Sequence, residues 1–174
     1  MELVLPSQKY EVSFIQAVKE YQAVDSNGVK GICQLNVEDL KTNFPTYIFK
    51  ILSQTEGNNL PDGHVPQTVY WLIDNGEFIG RVTLRHSLTQ RLHNEGGHIG
   101  YDIRPSKRKM GYGKKILELA LPKAKGLGLT KVLVTCDETN LASKKIIETH
   151  GGVFENSLKL HEDKPAKLRY WITI

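Results

Sequence analysis

The sequence predicts a mixed α/β (α+β) fold, with a mostly antiparallel sheet and helices on both of its faces. Three observations predict it. Residues 8–52 carry apolar positions at helical spacing, whereas residues 68–86 alternate with a period of two. The alternating stretch folds back on "DNGE" (74–77), a strong hairpin signal. Further on, "KVLVTC" (131–136) is a continuous apolar run of the kind found in a buried parallel strand, and helical patterns flank it.

Each element follows in order. "ELVL" (2–5) before Pro6 reads as a first strand. Ser7 is a suitable cap for a helix over 8–22, with Val12, Ile15, Val18 and Tyr21 near one period. "DSNGVKG" (25–31) is a loop, and residues 37–52 form a second helix, interrupted or restarted near Pro45. "TEGNNLPDGHVPQ" (55–67) is a polar connection. "TVYWLI" (68–73) and "FIGRVTLRH" (78–86) form the hairpin, "SLTQRLHNEGG" (87–97) a loop, and "HIGYDI" (98–103) a strand ended by Arg104-Pro105. A helix starts near Gly111 and runs to about Lys125, with Pro122 expected to kink or shorten it. Asn140 caps a helix to about His150, Gly151-Gly152 stops it, and "VFEN" and "LRYWITI" close the chain as strands.

A length of 174 residues suits one domain, expected over 1–174. The start lacks a basic n-region and an apolar h-region, and no run reaches transmembrane length, so a cytoplasmic protein without a membrane partner is expected. Cys33 and Cys136 have neither CxxC nor His-rich company, which predicts reduced thiols and no metal. The net charge of +4 hides an asymmetry: residues 1–100 hold 8 Lys/Arg against 11 Asp/Glu, and residues 101–174 hold 15 against 8. A basic half points to a polyanionic partner: nucleic acid, an anionic membrane surface or a phosphorylated small molecule.

The charge is densest in "KRKMGYGKK" (107–115), at the start of a helix. A helix start already exposes unpaired N–H groups and the positive end of the dipole, so crowded cations there are unfavourable unless an anion joins them. Gly111 and Gly113 let the backbone wrap a phosphate or pyrophosphate. A solvated basic turn is the bland alternative. A nucleic-acid interface needs cations spread along a face with aromatics between them, whereas this stretch is compact and holds only Tyr112, so nucleic acid is not expected. It fits neither the Walker loop nor the GxGxxG fingerprint.

Arg108-Lys109-Met110-Gly111-Tyr112-Gly113 resembles R/Q-x-x-G-x-G/A, the acyl-CoA pyrophosphate loop of the GNAT superfamily of N-acetyltransferases. "IGYDIRPSKR" is similar to that family's fourth strand and its end, and "VLVTCDETNLASKKIIETHGG" to its fifth strand and following helix. With "LRH", "GGHIGY" and "RYWI", the pattern resembles a bacterial branch. The resemblance covers about 68–174 and implies about seven strands, with the fourth and fifth splayed apart. It implies acetyl-CoA as acetyl donor, held by the backbone from Arg108 through Lys109, Met110, Gly111, Tyr112 and Gly113 to Lys114. The strand end at Ile103-Arg104 pairs with the pantetheine, and Asn140 and Ser143 lie at the cofactor arm. An amine of a small molecule or peptide attacks directly, and an amide near Asp102 or Ile103 holds the oxyanion. Dimers are common in the family, which admits a homodimer.

The acid and base are less legible. Many relatives carry Tyr seven residues after the Asn, where this chain has Ile147. His98 and Asp102, on one face of the fourth strand by alternation, are the candidate catalytic pair. The competing reading has Asp102 paired with Arg104 or Arg85, and His98 bonded to a loop. Tyr101, Glu95 and Tyr170 are weaker candidates. Arg85 and His86 are candidates for binding a substrate carboxylate, or for anchoring the 87–97 loop. The loss at Ile147 supports a second reading, a non-catalytic acyl-CoA-binding or regulatory module.

Overall fold

Asn75 and Gly76 both take positive φ, 48° and 78°. That is the two-residue turn whose twist matches antiparallel strands, so it joins β2 (Gln67–Asp74) to β3 (Glu77–Arg85). In this computed structural model, which describes residues 1–24, 31–57, 60 and 63–174, the hairpin lies within a seven-stranded sheet. β1 (Glu2–Val4), β4 (Ile99–Ile103), β5 (Lys131–Asp137), β6 (Val153–Leu158) and β7 (Lys167–Thr173) complete it in the order β1-β2-β3-β4-β5-β7-β6. Every pairing is antiparallel except β4 with β5.

Helices α1 (Glu11–Val24) and α2 (Val37–Ser53) cover one face and bury an aromatic cluster in which Phe14 stacks on Trp71 at 4.6 Å. Helices α4 (Tyr112–Gly126) and α5 (Leu141–Thr149) cover the other through Ile116, Leu117, Ala120 and Ile147. The expected caps form: Ser7 accepts from Lys9 N–H, and Asn140 from Ser143 N–H.

Two expectations change. The 87–97 loop contains a helix, α3 (Gln90–Glu95), capped by Thr89, whose hydroxyl accepts from Leu92 N–H at 3.3 Å. Pro122 does not end α4, which continues to Gly126. Pro122 and Glu118 both face solvent, so water can take the carbonyl that loses its donor while Ala120 and Ala124 stay packed. The expected interruption of α2 falls at Asn43 (φ −127°, ψ 28°), two residues before Pro45. Most of the expected 25–31 loop, and residues 58, 59, 61 and 62 of the next connection, lie outside the described residues. Among the described residues no helix is long and apolar enough to cross a membrane.

Candidate active site

The loop from Lys107 to Gly111 leads into α4 with two left-handed residues, Lys109 (φ 64°) and Gly111 (φ 87°). The chain coils there, so its donors cannot be used in regular structure. Among the described residues, no acceptor meets the N–H groups of Lys109, Met110, Gly111, Tyr112 or Gly113. Five consecutive donors at a helix start form an anion cradle. The glycines serve it differently from the sequence expectation. A Cβ at Gly111 meets nothing within 4 Å, so Gly111 is there for its φ. A Cβ at Gly113 lies 2.9 Å from Ile146 Cδ1, so Gly113 lets α4 approach α5.

The cations also divide. Lys107 pairs with Glu77 at 2.7 Å and Lys115 with Glu118 at 2.7 Å. Arg108 Nε donates to the Ile103 carbonyl at 3.2 Å. Lys109 and Lys114 form no ion pair among the described residues, and both are exposed at the cradle.

Beside the cradle, β4 and β5 part. They pair at Ile99↔Val134, and among the described residues at no later position. Arg104 N–H donates to Ile79 O and Arg85 N–H to His98 O, each at 2.8 Å, which sets the alternation on the β3 side. By that alternation the Asp102 main chain faces β3, and the N–H and C=O groups of Tyr101 and Ile103 face the gap. The oxyanion donor expected near Asp102 or Ile103 thus has its gap-facing candidates at Tyr101 and Ile103.

Several expected side chains are already engaged. Asp102 accepts from the Tyr21 hydroxyl at 2.6 Å and from Arg81 Nε at 2.8 Å, so both its oxygens hold partners and its charge is matched. The partner is Arg81 rather than Arg104 or Arg85. Burial first, and then the Asp102 charge, push the Tyr21 phenol far above its ordinary range, so it remains a donor. His98 is buried, and its Nδ1 accepts from Leu133 N–H at 2.9 Å. Burial, with His93 and Arg85 nearby, holds its pKa below the ordinary value, so it is a neutral clamp between β4 and β5.

The Arg104 side chain and N–H, expected at the cofactor, have internal partners. Its buried guanidinium bonds Glu20 (2.6 Å) and Glu77 (2.9 Å), and its N–H is used by Ile79. The Tyr112 hydroxyl donates to Asp74 at 2.8 Å, which leaves its main chain for the cradle. His86, expected with Arg85 to bind a substrate carboxylate or to anchor the 87–97 loop, has its Nε2 2.9 Å from Thr68 Oγ1, on the opposite side of the sheet from Arg85. Met110 is an exposed loop side chain.

On the α4–α5 side, Tyr101 carries a feature that sequence reasoning undervalued. Its hydroxyl is buried, and among the described residues no group meets it at hydrogen-bonding geometry, the Ser143 side chain lying nearby. Burial pushes the phenol up to about 12, with the nearby Ser143 side chain pulling the other way. Asn140 Oδ1 takes Ser143 N–H at 3.0 Å, and its amide nitrogen has no partner among the described residues. Alternation alone places Tyr101 opposite Asp102; only the packing of α5 shows that its hydroxyl is stranded. The Ile147 side chain is fully buried in the core.

Against the other face, a cavity of about 310 Å³ lies between α2, residues 63–65, α3 and β2–β3. Arg81, Thr83 and Arg85, which alternate onto one side of β3, line it. Among the described residues no His/Cys/Asp/Glu group is arranged to hold a metal.

Compared with protein-family models, residues 34–153 match the acetyltransferase (GNAT) domain. No curated protein matches significantly. Among solved structures, RimL, a ribosomal L7/L12 alpha-N-protein acetyltransferase in complex with coenzyme A, aligns with TM-score 0.72 at 14% identity, over 99% of this chain and 93% of that one. The microcin C7 self-immunity acetyltransferase MccE, in complex with acetyl-CoA and AMP, aligns with TM-score 0.72 at 13% identity, over 99% and 91%. Mycobacterium smegmatis RimJ, in complex with CoA-disulfide, aligns with TM-score 0.70 at 17% identity, over 98% and 80%. At these identities the likeness carries the fold alone.

Proposed function

Because the chain belongs to the GNAT acetyltransferase family, we propose that it transfers the acetyl group of acetyl-CoA to a primary amine of a small molecule or peptide by direct attack. The observation that carries the reading is the cradle of five N–H groups from Lys109 to Gly113 that meet no acceptor among the described residues, with Lys109 and Lys114 forming no ion pair among them. This donor set fits a pyrophosphate, and the gap beyond Ile99 leaves the main-chain groups of Tyr101 and the N–H of Ile103 for an extended pantetheine, the Ile103 carbonyl being taken by Arg108.

The amine nitrogen attacks the thioester carbonyl, a C–N bond forms, and the C–S bond breaks with the sulfur leaving as thiolate. A gap-facing N–H of β4 takes the oxyanion. The proton shed by the attacking nitrogen passes to water, because Asp102 is ion-paired and His98 is a buried clamp. Tyr101 takes the role left open by Ile147. A phenol near 12 does not surrender its proton fully to a thiolate of ordinary basicity, about 8.5. It donates a hydrogen bond to the leaving sulfur instead. Tyr101→Phe is therefore expected to lower kcat by about tenfold or more, without a comparable loss of CoA affinity. Equal kcat in the variant counts against that role.

The reading is tested by following thiol release from acetyl-CoA over polyamines, amino acids, aminoglycosides and peptide N-termini. Turnover with any of them supports it. CoA binding without turnover on all of them favours the second reading, a non-catalytic acyl-CoA-binding module, which rests on the aliphatic core residue at Ile147.

A further inference from the structure

The cavity on the α1–α2 face holds more positive charge than the fold itself uses. Three arginines line it: Arg81, Arg85 and Arg91. Arg81 is matched by Asp102. Arg85 and Arg91 form no ion pair among the described residues. Arg85 is held in place, because its Nη1 donates to the carbonyls of Gly96 (3.1 Å) and Gly97 (2.9 Å). Its Nη2 and Nε meet no acceptor among the described residues. The group lies over Gly100, where a Cβ would stand at ordinary contact distance, 3.7 Å from Nη1 and 3.8 Å from Nη2. The guanidinium is thus pinned by one edge over β4, with its other edge open.

This arrangement costs free energy. A half-buried cation without a counter-charge loses hydration, and a second arginine on the same cavity adds repulsion. Burial, and next Arg91, hold Arg85 below the ordinary arginine value. Both costs are relieved by one anion placed between the two side chains. A guanidinium edge accepts a carboxylate in a bidentate fork.

The position links that anion to the reaction centre. Arg85 stands over Gly100, and the gap-facing groups of β4 belong to Tyr101 and Ile103. One to three residues of strand rise span roughly 3–10 Å. An anion and a reacting amine on one small molecule cover that distance, and a cavity of about 310 Å³ accepts a ligand of that size.

We infer that the acceptor is itself an acid: a small amine that carries a carboxylate, bound by Arg85 and Arg91 while its amine reaches the gap between β4 and β5. The inference rests on the acetyltransferase reading for the amine and on the cavity alone for the carboxylate. Two measurements keep these apart.

In the first, amino acids and short peptides are compared with their C-terminal amides, and phosphoethanolamine with ethanolamine, as acceptors. The free acid is expected to exceed its amide in kcat/KM by roughly tenfold, mainly through KM, as one charge-assisted contact is lost. Arg91→Gln, at an exposed position, is expected to cut that ratio severalfold, and Arg85→Gln to cut it further. Acids and amides used equally by the wild type, or a preference confined to phosphoethanolamine, overturn the proposal. In the second, thermal unfolding is followed in millimolar glutarate without acetyl-CoA. The wild type is expected to melt higher with glutarate, and Arg91→Gln to lose most of that gain. An equal gain in both proteins overturns the carboxylate site. A chain that acetylates nothing but shows the Arg91-dependent gain keeps the site and loses only the reaction.

Discussion

Replacing Gly111 by aspartate is expected to weaken coenzyme A binding by about tenfold or more, read by calorimetric titration against Gly111→Ala. The comparison separates two effects. Any side chain at Gly111 must adopt φ 87°, at a cost on the order of 1 kcal/mol. Alanine carries that cost alone, because a Cβ there meets nothing within 4 Å. Aspartate tolerates the conformation better, yet it brings a carboxylate to the N–H groups and to Lys109 and Lys114. A strain effect ranks alanine as the weaker binder; competition for the anion site ranks aspartate as the weaker. The second order is expected, with the aspartate deficit shrinking as salt is raised. Equal affinities in the two variants remove the pyrophosphate from this loop.

Asp102→Ala is expected to cost about 3–5 kcal/mol of stability, read as a fall in Tm of roughly 10 °C. The loss does not come from the carboxylate's own contacts alone. It takes the carboxylate from two donors at once, the Arg81 cation, whose side chain is 20% exposed, and the Tyr21 phenol, which has no access to solvent. Replacing both charges, as Asp102→Leu with Arg81→Met, is expected to recover part of the loss, because the Arg81–Asp102 pair is then removed as a unit. A single variant as stable as the wild type but slow in acetyl transfer restores Asp102 as the base that its position on the strand suggested.

These two cases show where the sequence is readable. At the loop, left-handed glycine, cations and helix start are all local, and the spacing R-x-x-G-x-G contains them within 108–113. Only the division between Gly111 and Gly113 needed coordinates, because Ile146 is 33 positions further along. At Asp102 the sequence showed a carboxylate on the right strand and face. It did not show Tyr21, 81 positions away on α1, or Arg81, brought opposite by the β3–β4 register. Two competing partners were named, Arg104 and Arg85, and a third arginine holds the place. His98 has the same history: its ligand is a backbone N–H on β5, a group that no residue type advertises.

The sequence by itself determined the order of elements apart from α3, the hairpin, the glycine-containing loop before α4 and the family. Each depends on periodicity or on spacing within a few residues, where backbone geometry follows directly from residue type. The tertiary structure decided which charges are matched and which are left over. Asp102, Arg104 and His98 are used up by partners from distant elements, whereas Tyr101, Arg85 and Arg91 remain with unmet capacity. Matching depends on contacts within about 4 Å between elements far apart in the chain, and residue type carries no record of such contacts.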